Sequence, residues 1–166
     1  AAFDLARKHA NVLITRTFSK IYGLAAERIG WAYGQPGLIA TLNRIRAPFN
    51  VTSAGQAAAI AALADSDFVA HSRKHNLEWR DWMAGEIAAL SNHGLKAIPS
   101  WANFLMIIFE GKVSAETVYK ALMDEGYIVR WLPGQGLANG LRITIGSEAE
   151  NIGVIAALRK ILEAHS

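Results

Sequence analysis

The feature that most constrains the fold is a loop, residues 18–26, that connects two runs typical of β-strands. The first run, residues 11–17, contains a continuous apolar stretch that indicates a parallel strand buried on both faces. The second run, residues 28–34, alternates large apolar residues with small ones. Because open α/β sheets place their ligands at the carboxyl ends of strands, this loop predicts a binding site in an α/β protein.

Four polar side chains in and beside this loop indicate which ligand it binds. Lys20 follows the hydroxyl residues Thr17 and Ser19, and Arg28 comes eight residues after it. A lysine held by apolar surroundings is the amine type that forms Schiff bases with carbonyl compounds. Hydroxyls and an arginine form an anion site of phosphate size. Together they suggest an aldehyde cofactor that carries a phosphate, namely pyridoxal 5′-phosphate.

Composition excludes several other classes of protein. The chain has 166 residues, of which 52% are hydrophobic and 19% charged, and this balance is typical of a globular protein with a real core. No apolar run approaches the roughly 20 residues that span a bilayer, so no membrane association is expected. The net charge of +3 is dispersed along the chain, so nucleic acid is not an expected partner. Cysteine is absent, which makes a cytoplasmic location the default expectation.

The pattern of elements predicts three parts. Residues 1–50 contain two adjacent strands, which do not form a stable sheet alone, so they are predicted to be the end of a larger cofactor domain. Residues 51–92 are predicted to be connecting helices, the first capped by Thr52 or Ser53. Residues 93–166 are predicted to form a small α+β domain of a few strands and two helices. We therefore expect the chain to correspond to the C-terminal portion of a longer protein.

In the small domain, strands are predicted at residues 104–109, 127–132 and 141–145. Ser114 is expected to cap a helix that ends near residue 125, and Ser147 another. Glu150 lies three residues after Ser147, which is the spacing of a capping box. His71 and His75 lie four apart on a predicted helix, but no third ligand is nearby, so no metal site is predicted.

The loop and two later stretches resemble a known family. The pattern Thr17-x-Ser19-Lys20-x-Tyr22-Gly23-Leu24, followed by Arg28-Ile29-Gly30, resembles the cofactor-lysine motif of fold-type I pyridoxal-phosphate enzymes. It is most similar to that of the histidinol-phosphate aminotransferases. The later stretches, residues 99–104 and 126–146, resemble a strand start and the substrate-arginine segment of that family. The resemblance implies an α/β fold, in which the end of the large mixed-sheet cofactor domain precedes a small α+β domain.

The resemblance also implies roles for individual residues. Lys20 is the implied Schiff-base lysine and the implied carrier of the proton between substrate and cofactor. The implied phosphate ligands are Thr17, Ser19 and Arg28. On the substrate side, Arg142 is expected to pair with the α-carboxylate and Arg130 with the second anionic group, while Tyr22 either packs near the cofactor or fills the loop.

One departure from the family pattern lies beside these residues. The family usually has a glycine and an apolar residue near Ala26 and Glu27. Here Glu27 places a carboxylate next to Arg28, and we expect it to point away.

The implied reaction is amino transfer from histidinol phosphate to 2-oxoglutarate, through ping-pong half-reactions with glutamate as the second amino acid. Three alternatives stay open: an aromatic amino acid aminotransferase, a decarboxylase of a phosphorylated amino acid, and an inactive truncated chain. The family's front half supplies an aspartate, a tyrosine, an asparagine and a glycine-rich phosphate contact, and no residue here is assigned those roles. Family likeness further implies a homodimer.

Overall fold

A computed structural model describes residues 2–165, which form six α-helices and six β-strands. The helices are α1 (Ala2–Lys8), α2 (Pro36–Ile45), α3 (Ser53–Ala64), α4 (Ser66–Ala88), α5 (Ala115–Asp124) and α6 (Glu148–Ala164). The strands are β1 (Leu13–Thr17), β2 (Gly30–Gly34), β3 (Leu95–Ile98), β4 (Phe104–Phe109), β5 (Arg130–Leu132) and β6 (Leu137–Thr144).

The chain divides into two compact units. The first extends to Arg73 and the second begins at Lys74, so the division falls inside the long helix α4. The three-part division expected from the sequence stays a prediction. Within residues 2–165, no helix is both long enough and apolar enough to cross a membrane.

The two strands of the first unit pair differently from the sequence-based expectation. β1 and β2 are antiparallel, with Thr17 opposite Gly30 and Leu13 opposite Gly34. A parallel pair needs a long crossover connection, usually a helix, whereas residues 18–29 form only turns. Of β1, Ile14 alone is buried. The prediction of a parallel strand buried on both faces is therefore wrong for the pairing seen here.

A small apolar cluster lies beneath the loop between these strands. Phe18, Ile29 and Ala59 are each less than 10% exposed, and Tyr22 and Leu24 pack against them. Because Ala59 belongs to α3, this helix packs against the buried residues of the loop. The start of α3 agrees with prediction, since the Thr52 hydroxyl accepts a hydrogen bond from the Gly55 amide at 2.9 Å.

The second unit contains an antiparallel sheet in the strand order β3-β4-β6-β5. Buried and more exposed side chains alternate along β4 and β6, so one face of the sheet is apolar. That face packs against α4, which precedes the sheet in sequence, and against the later helices α5 and α6. The fully buried side chains of this core include Leu105, Ile107, Leu141, Val118, Leu122, Leu158, Leu162, Met83 and Ile87. These strands and helices form an α+β arrangement, while the predicted bounds of 93–166 stay a prediction.

Helix caps in this unit also agree with the sequence. Ser114 caps α5 by accepting a hydrogen bond from the Thr117 amide. Ser147 and Glu150 form the predicted capping box at the start of α6. The Ser147 amide, and then its hydroxyl, donate to the Glu150 carboxylate and hold the pKa of that group below its ordinary value of 4.5.

Candidate functional site

The predicted phosphate ligands lie together at the end of β1. Thr17 Oγ1 accepts a hydrogen bond from the Ser19 amide at 3.0 Å. Arg28 Nη1 donates to Ser19 Oγ at 3.4 Å and to the Ala25 carbonyl at 2.8 Å. Two hydroxyls and a guanidinium are thus brought into one cluster, although Ser19 and Arg28 lie nine positions apart in the sequence.

Arg28 has a backbone conformation that its residue type rarely adopts. Its φ is +53°, in the left-handed region, where a non-glycine residue is strained by about 1–3 kcal/mol. Such strain persists only where the surroundings fix it, and the carbonyl of Ala25 and the buried side chain of Ile29 do so here. Nε and Nη2 of Arg28 make no hydrogen bond within residues 2–165, so the guanidinium keeps donors for an anion.

Lys20 lies in the same loop, directly after Ser19. Its carbonyl accepts a hydrogen bond from the Gly23 amide at 2.9 Å, so the backbone at Lys20 is part of a turn. The lysine is exposed, whereas Phe18, two residues before it, is buried. Tyr22 packs against Phe18 with ring centroids 4.9 Å apart, and its position therefore contributes to the packing of the loop.

Glu27 does not pair with its neighbour Arg28. A Cβ placed at Gly55 would lie 3.5 Å from Glu27 Oε2, so the carboxylate lies beside the first turn of α3. The positive end of a helix dipole favours a carboxylate there. Glu27 makes no ion pair among the residues that the structure describes, and the expectation that it points away from Arg28 agrees with this placement.

The two predicted substrate arginines lie side by side in the second unit. Arg130 of β5 is directly opposite Arg142 of β6. Residues opposite each other in an antiparallel pair have Cα atoms about 4.5–5.5 Å apart and side chains on the same face. Both arginines line a cleft of about 380 Å³ with Ile128, Val129 and Thr144.

The electrostatics of this pair favour an anionic ligand. Like charges placed opposite each other across strands are destabilising. Nε of Arg142 is buried and has no hydrogen-bond partner among residues 2–165, which costs about 1–3 kcal/mol for a buried donor. The Arg142 guanidinium carbon lies over the Phe104 ring, 5.0 Å from its centre, in a cation–π contact. A carboxylate or phosphate would relieve both unfavourable terms.

Sequence reasoning missed two contributors to these clusters. The sequence predicts only that Phe104, whose ring contacts Arg142, lies in a strand, because its register opposite Thr144 depends on pairing that the sequence does not encode locally. The left-handed φ of Arg28 was also missed. The Gly23-to-Gly30 spacing offers no signal for it, since arginine is not a residue that favours positive φ.

His75, one of the two histidines that lie four residues apart, contacts the backbone of the second unit. Its Nε2 lies 2.8 Å from the carbonyl oxygen of Gly146. Within residues 2–165, no group of three or more histidine and acidic side chains is arranged to hold a metal.

The two clusters have distinct chemical capacities. The loop cluster offers hydroxyls and a guanidinium for a phosphate, next to a lysine that suits an aldehyde, and these groups fit pyridoxal 5′-phosphate. The arginine pair offers two cations on one sheet face for a substrate that carries two anionic groups.

Several known proteins are similar to this chain over nearly all of its length. The chain is 62% identical, over 96% of its length, to a histidinol-phosphate aminotransferase of Sphingopyxis alaskensis. A crystal structure of the Sinorhizobium meliloti histidinol-phosphate aminotransferase in complex with pyridoxal-5′-phosphate matches 95% of the chain, with a TM-score of 0.83 and 33% identity. The L-threonine-O-3-phosphate decarboxylase of Porphyromonas gingivalis matches 98%, with a TM-score of 0.78 and 25% identity.

The chain spans half or less of the length of each of these relatives. It covers 43% of the Sphingopyxis protein, 42% of the Sinorhizobium chain and 50% of the Porphyromonas chain. These shares are consistent with the expectation that the chain corresponds to the C-terminal portion of a longer protein. The model of the family described as aminotransferase class I and II matches residues 2–158. The chain therefore belongs to the class I and II aminotransferase family, whose fold-type I architecture accounts for both of its units.

Proposed function

We propose that this chain forms part of a pyridoxal-phosphate-dependent aminotransferase in which Lys20 is the amine that carries the cofactor. The observation on which this rests is the cluster of Thr17, Ser19 and Arg28 around a fixed turn next to Lys20. Phosphate binding by the cluster would hold the cofactor's other end within reach of the amine. The protein would thus supply binding and orientation, and the cofactor the chemistry.

When bound, pyridoxal 5′-phosphate supplies an aldehyde carbon for amines and a ring that withdraws electrons from the substrate's Cα. Lys20 would hold the cofactor through its Nζ amine, and the same amine would accept and carry the proton that leaves the substrate's Cα. Because the lysine remains tethered beside the reacting carbon, its effective concentration is high. The buried Phe18 and Ile29 on either side of the loop would keep its backbone in place during this transfer.

We further propose that Arg142 binds the substrate α-carboxylate and Arg130 its second anionic group. A guanidinium fork matches a carboxylate through two parallel hydrogen bonds, and the unpaired Nε of Arg142 supplies one such donor. Arg130, on the same face, would bind the phosphate of histidinol phosphate or the distal carboxylate of glutamate. Because histidinol phosphate and glutamate each carry an anionic group of this kind, the same two arginines could bind both substrates of the ping-pong cycle.

Histidinol phosphate with 2-oxoglutarate is the proposed substrate pair, supported by the name and 62% identity of the Sphingopyxis relative. An aromatic amino acid aminotransferase is the first alternative. Decarboxylation of a phosphorylated amino acid is the second, and the likeness to the Porphyromonas decarboxylase favours it. A homodimer and a cytoplasmic location remain predictions from family likeness and composition.

The test uses a chimaera in which this chain replaces the matching segment of the Sphingopyxis protein. With pyridoxal 5′-phosphate added, we expect a visible absorbance band from the lysine-bound cofactor, lost in Lys20→Ala and retained in Lys8→Ala. Lys8 is a matched control because it is an exposed lysine of the same unit. An unchanged band in Lys20→Ala would refute the assignment.

Half-reactions then separate the candidate substrates. Amino transfer from histidinol phosphate, phenylalanine and tyrosine is compared with release of carbon dioxide from a phosphorylated amino acid. We expect transfer from histidinol phosphate to be fastest and to weaken selectively in Arg130→Ala. Equal weakening with all three amino donors would contradict the proposed phosphate contact of Arg130.

A further inference from the structure

Gly146, immediately beyond the end of β6, is held by side chains from two helices. Asn151 of α6 bonds to both backbone groups of this glycine: its Oδ1 accepts from the amide at 2.9 Å and its Nδ2 donates to the carbonyl at 3.0 Å. His75 of α4 contacts the same carbonyl at 2.8 Å. Because a carbonyl oxygen only accepts, His75 Nε2 carries the proton.

The next residue of α4 holds the neighbouring strand. Asn76 Nδ2 donates to the carbonyl of Ala102 at 3.3 Å, just before β4 begins. At the same end of the sheet, the Ile145 amide donates to the carbonyl of Asn103 at 2.9 Å. His75 and Asn76 therefore bind the backbone on both sides of one end of the β4–β6 pair.

The Phe104 ring, against which Arg142 packs, lies at that end of the sheet. Phe104 is the first residue of β4 and pairs with Thr144, and Arg142 is two residues before Thr144 on the same face. The Phe104 ring lies 5.0 Å from the Arg142 guanidinium carbon. A shift of either strand end would change the angle at which the guanidinium faces its cleft.

These side chains form hydrogen bonds with backbone groups. Asn151 is 1% exposed, and both ends of its amide are satisfied by Gly146. A buried polar network with all of its groups paired makes its surroundings rigid and specifies one arrangement. His75, half-buried, adds a second donor to a carbonyl oxygen that has room for two.

We propose that His75, Asn76 and Asn151 are positioning residues that hold Arg142 in the orientation needed to bind the substrate carboxylate. The inference rests on the proposed role of Arg142. It follows from geometry, because a bidentate carboxylate contact requires the plane of the guanidinium to be fixed, and a 1 Å error in position can cost about a hundredfold in rate. The three residues act through the strand ends and do not touch the substrate.

The first experiment uses the chain itself and the Nε–H resonance of Arg142 in a ¹⁵N-labelled sample, assigned with Arg142→Lys. Glutamate is the probe. In the unsubstituted chain we expect the resonance to shift on titration, as the carboxylate reaches Nε. In His75→Leu and Asn76→Ala we expect glutamate to bind about fivefold more weakly, the effect of losing one ordinary hydrogen bond.

Conservative and matched variants separate positioning from general damage. His75→Gln keeps a donor that reaches the Gly146 carbonyl and should restore most of the affinity. Lys74→Gln, on the same helix but exposed in a surface pair with Glu78, should leave it unchanged. In the chimaera, His75→Leu should raise KM for glutamate while the visible cofactor band is retained.

The outcomes distinguish the two proposals. A glutamate affinity in His75→Leu and Asn76→Ala equal to that of the unsubstituted chain overturns the positioning role and leaves the role of Arg142 intact. Failure of the Arg142 resonance to respond to glutamate in the unsubstituted chain overturns the role of Arg142, and the positioning role with it. Neither result bears on the Lys20 absorbance test.

Discussion

Replacing Gly30 with alanine should weaken cofactor binding without removing any group that binds the cofactor. Gly30 is the first residue of β2 and lies opposite Thr17. A Cβ at this position would lie 2.5 Å from the carbonyl oxygen of Arg16, and 3.5 Å from the Thr17 Cα. These are backbone atoms, which cannot rotate away as a flexible side chain would. The strands must therefore separate where the phosphate cluster begins.

The magnitude follows from the distance. Ordinary van der Waals contact begins at 3.4 Å, so β1 and β2 must separate locally by nearly an ångström. Overpacking of this kind costs about 1–3 kcal/mol, which is roughly fivefold to 150-fold in an equilibrium constant. Because Thr17 Oγ1 accepts the bond from the Ser19 amide, a displaced Thr17 moves both hydroxyls of the cluster.

The assay is a pyridoxal 5′-phosphate titration of the chimaera, followed by visible absorbance, together with denaturant unfolding of the chain itself. Gly37→Ala is the matched control, because a Cβ at Gly37 meets nothing within 4 Å. We expect the dissociation constant of the cofactor to rise in Gly30→Ala and to stay unchanged in Gly37→Ala. Equal affinities and equal unfolding free energies in the Gly30 variant and the unsubstituted protein would refute the close-approach argument.

Two further predictions concern the second unit. Arg142→Leu should stabilise the chain by about 1 kcal/mol, because it removes a buried unpaired donor; denaturant unfolding measures this, and a loss of stability would contradict it. The same substitution should abolish amino transfer from glutamate in the chimaera, which half-reaction rates measure. Glu150→Gln should destabilise the chain near neutral pH. The pKa of Glu150 is lowered, so its contribution is present above the unfolded value of 4.5 and disappears as pH falls through the folded value. The gap between the melting curves of the variant and the unsubstituted chain should therefore close in acid, and a gap that widens there would count against the capping box.

Local chemistry made much of the second unit predictable. The bounds of β4 and the caps at Ser114 and Ser147 agree with the sequence, because strand alternation and hydroxyl caps depend on near neighbours. β6 begins at Leu137, four residues before the predicted start, and β5 is limited to residues 130–132. The early start of β6 arises because Leu137 pairs with Leu132 across a tight turn, which extends this strand beyond its apolar run.

The candidate site was predictable in composition but not in geometry. The residue types around Lys20 indicated an aldehyde with a phosphate, and the structure brings Thr17, Ser19 and Arg28 together. The antiparallel pairing of β1 with β2 was not predicted, because an apolar run does not encode the direction of its partner. The direct opposition of Arg130 and Arg142 depends on strand register, which the spacing of two arginines in sequence does not fix.

Along β6, residues that face the core alternate with residues that face the cleft, so ligand specificity and fold stability depend on different positions of the strand. Leu141 and Ile143 face the buried core, whereas Arg142 and Thr144 face the opposite side. Substitutions at the alternate positions can change which anion is recognised while the apolar layer stays intact. Insertion of a single residue before Leu141 would exchange the two faces, placing a charge in the core and a leucine at the cleft. In proteins that evolve from this sequence, β6 can therefore accept substitutions at the positions that face the cleft, but not a one-residue change in its length.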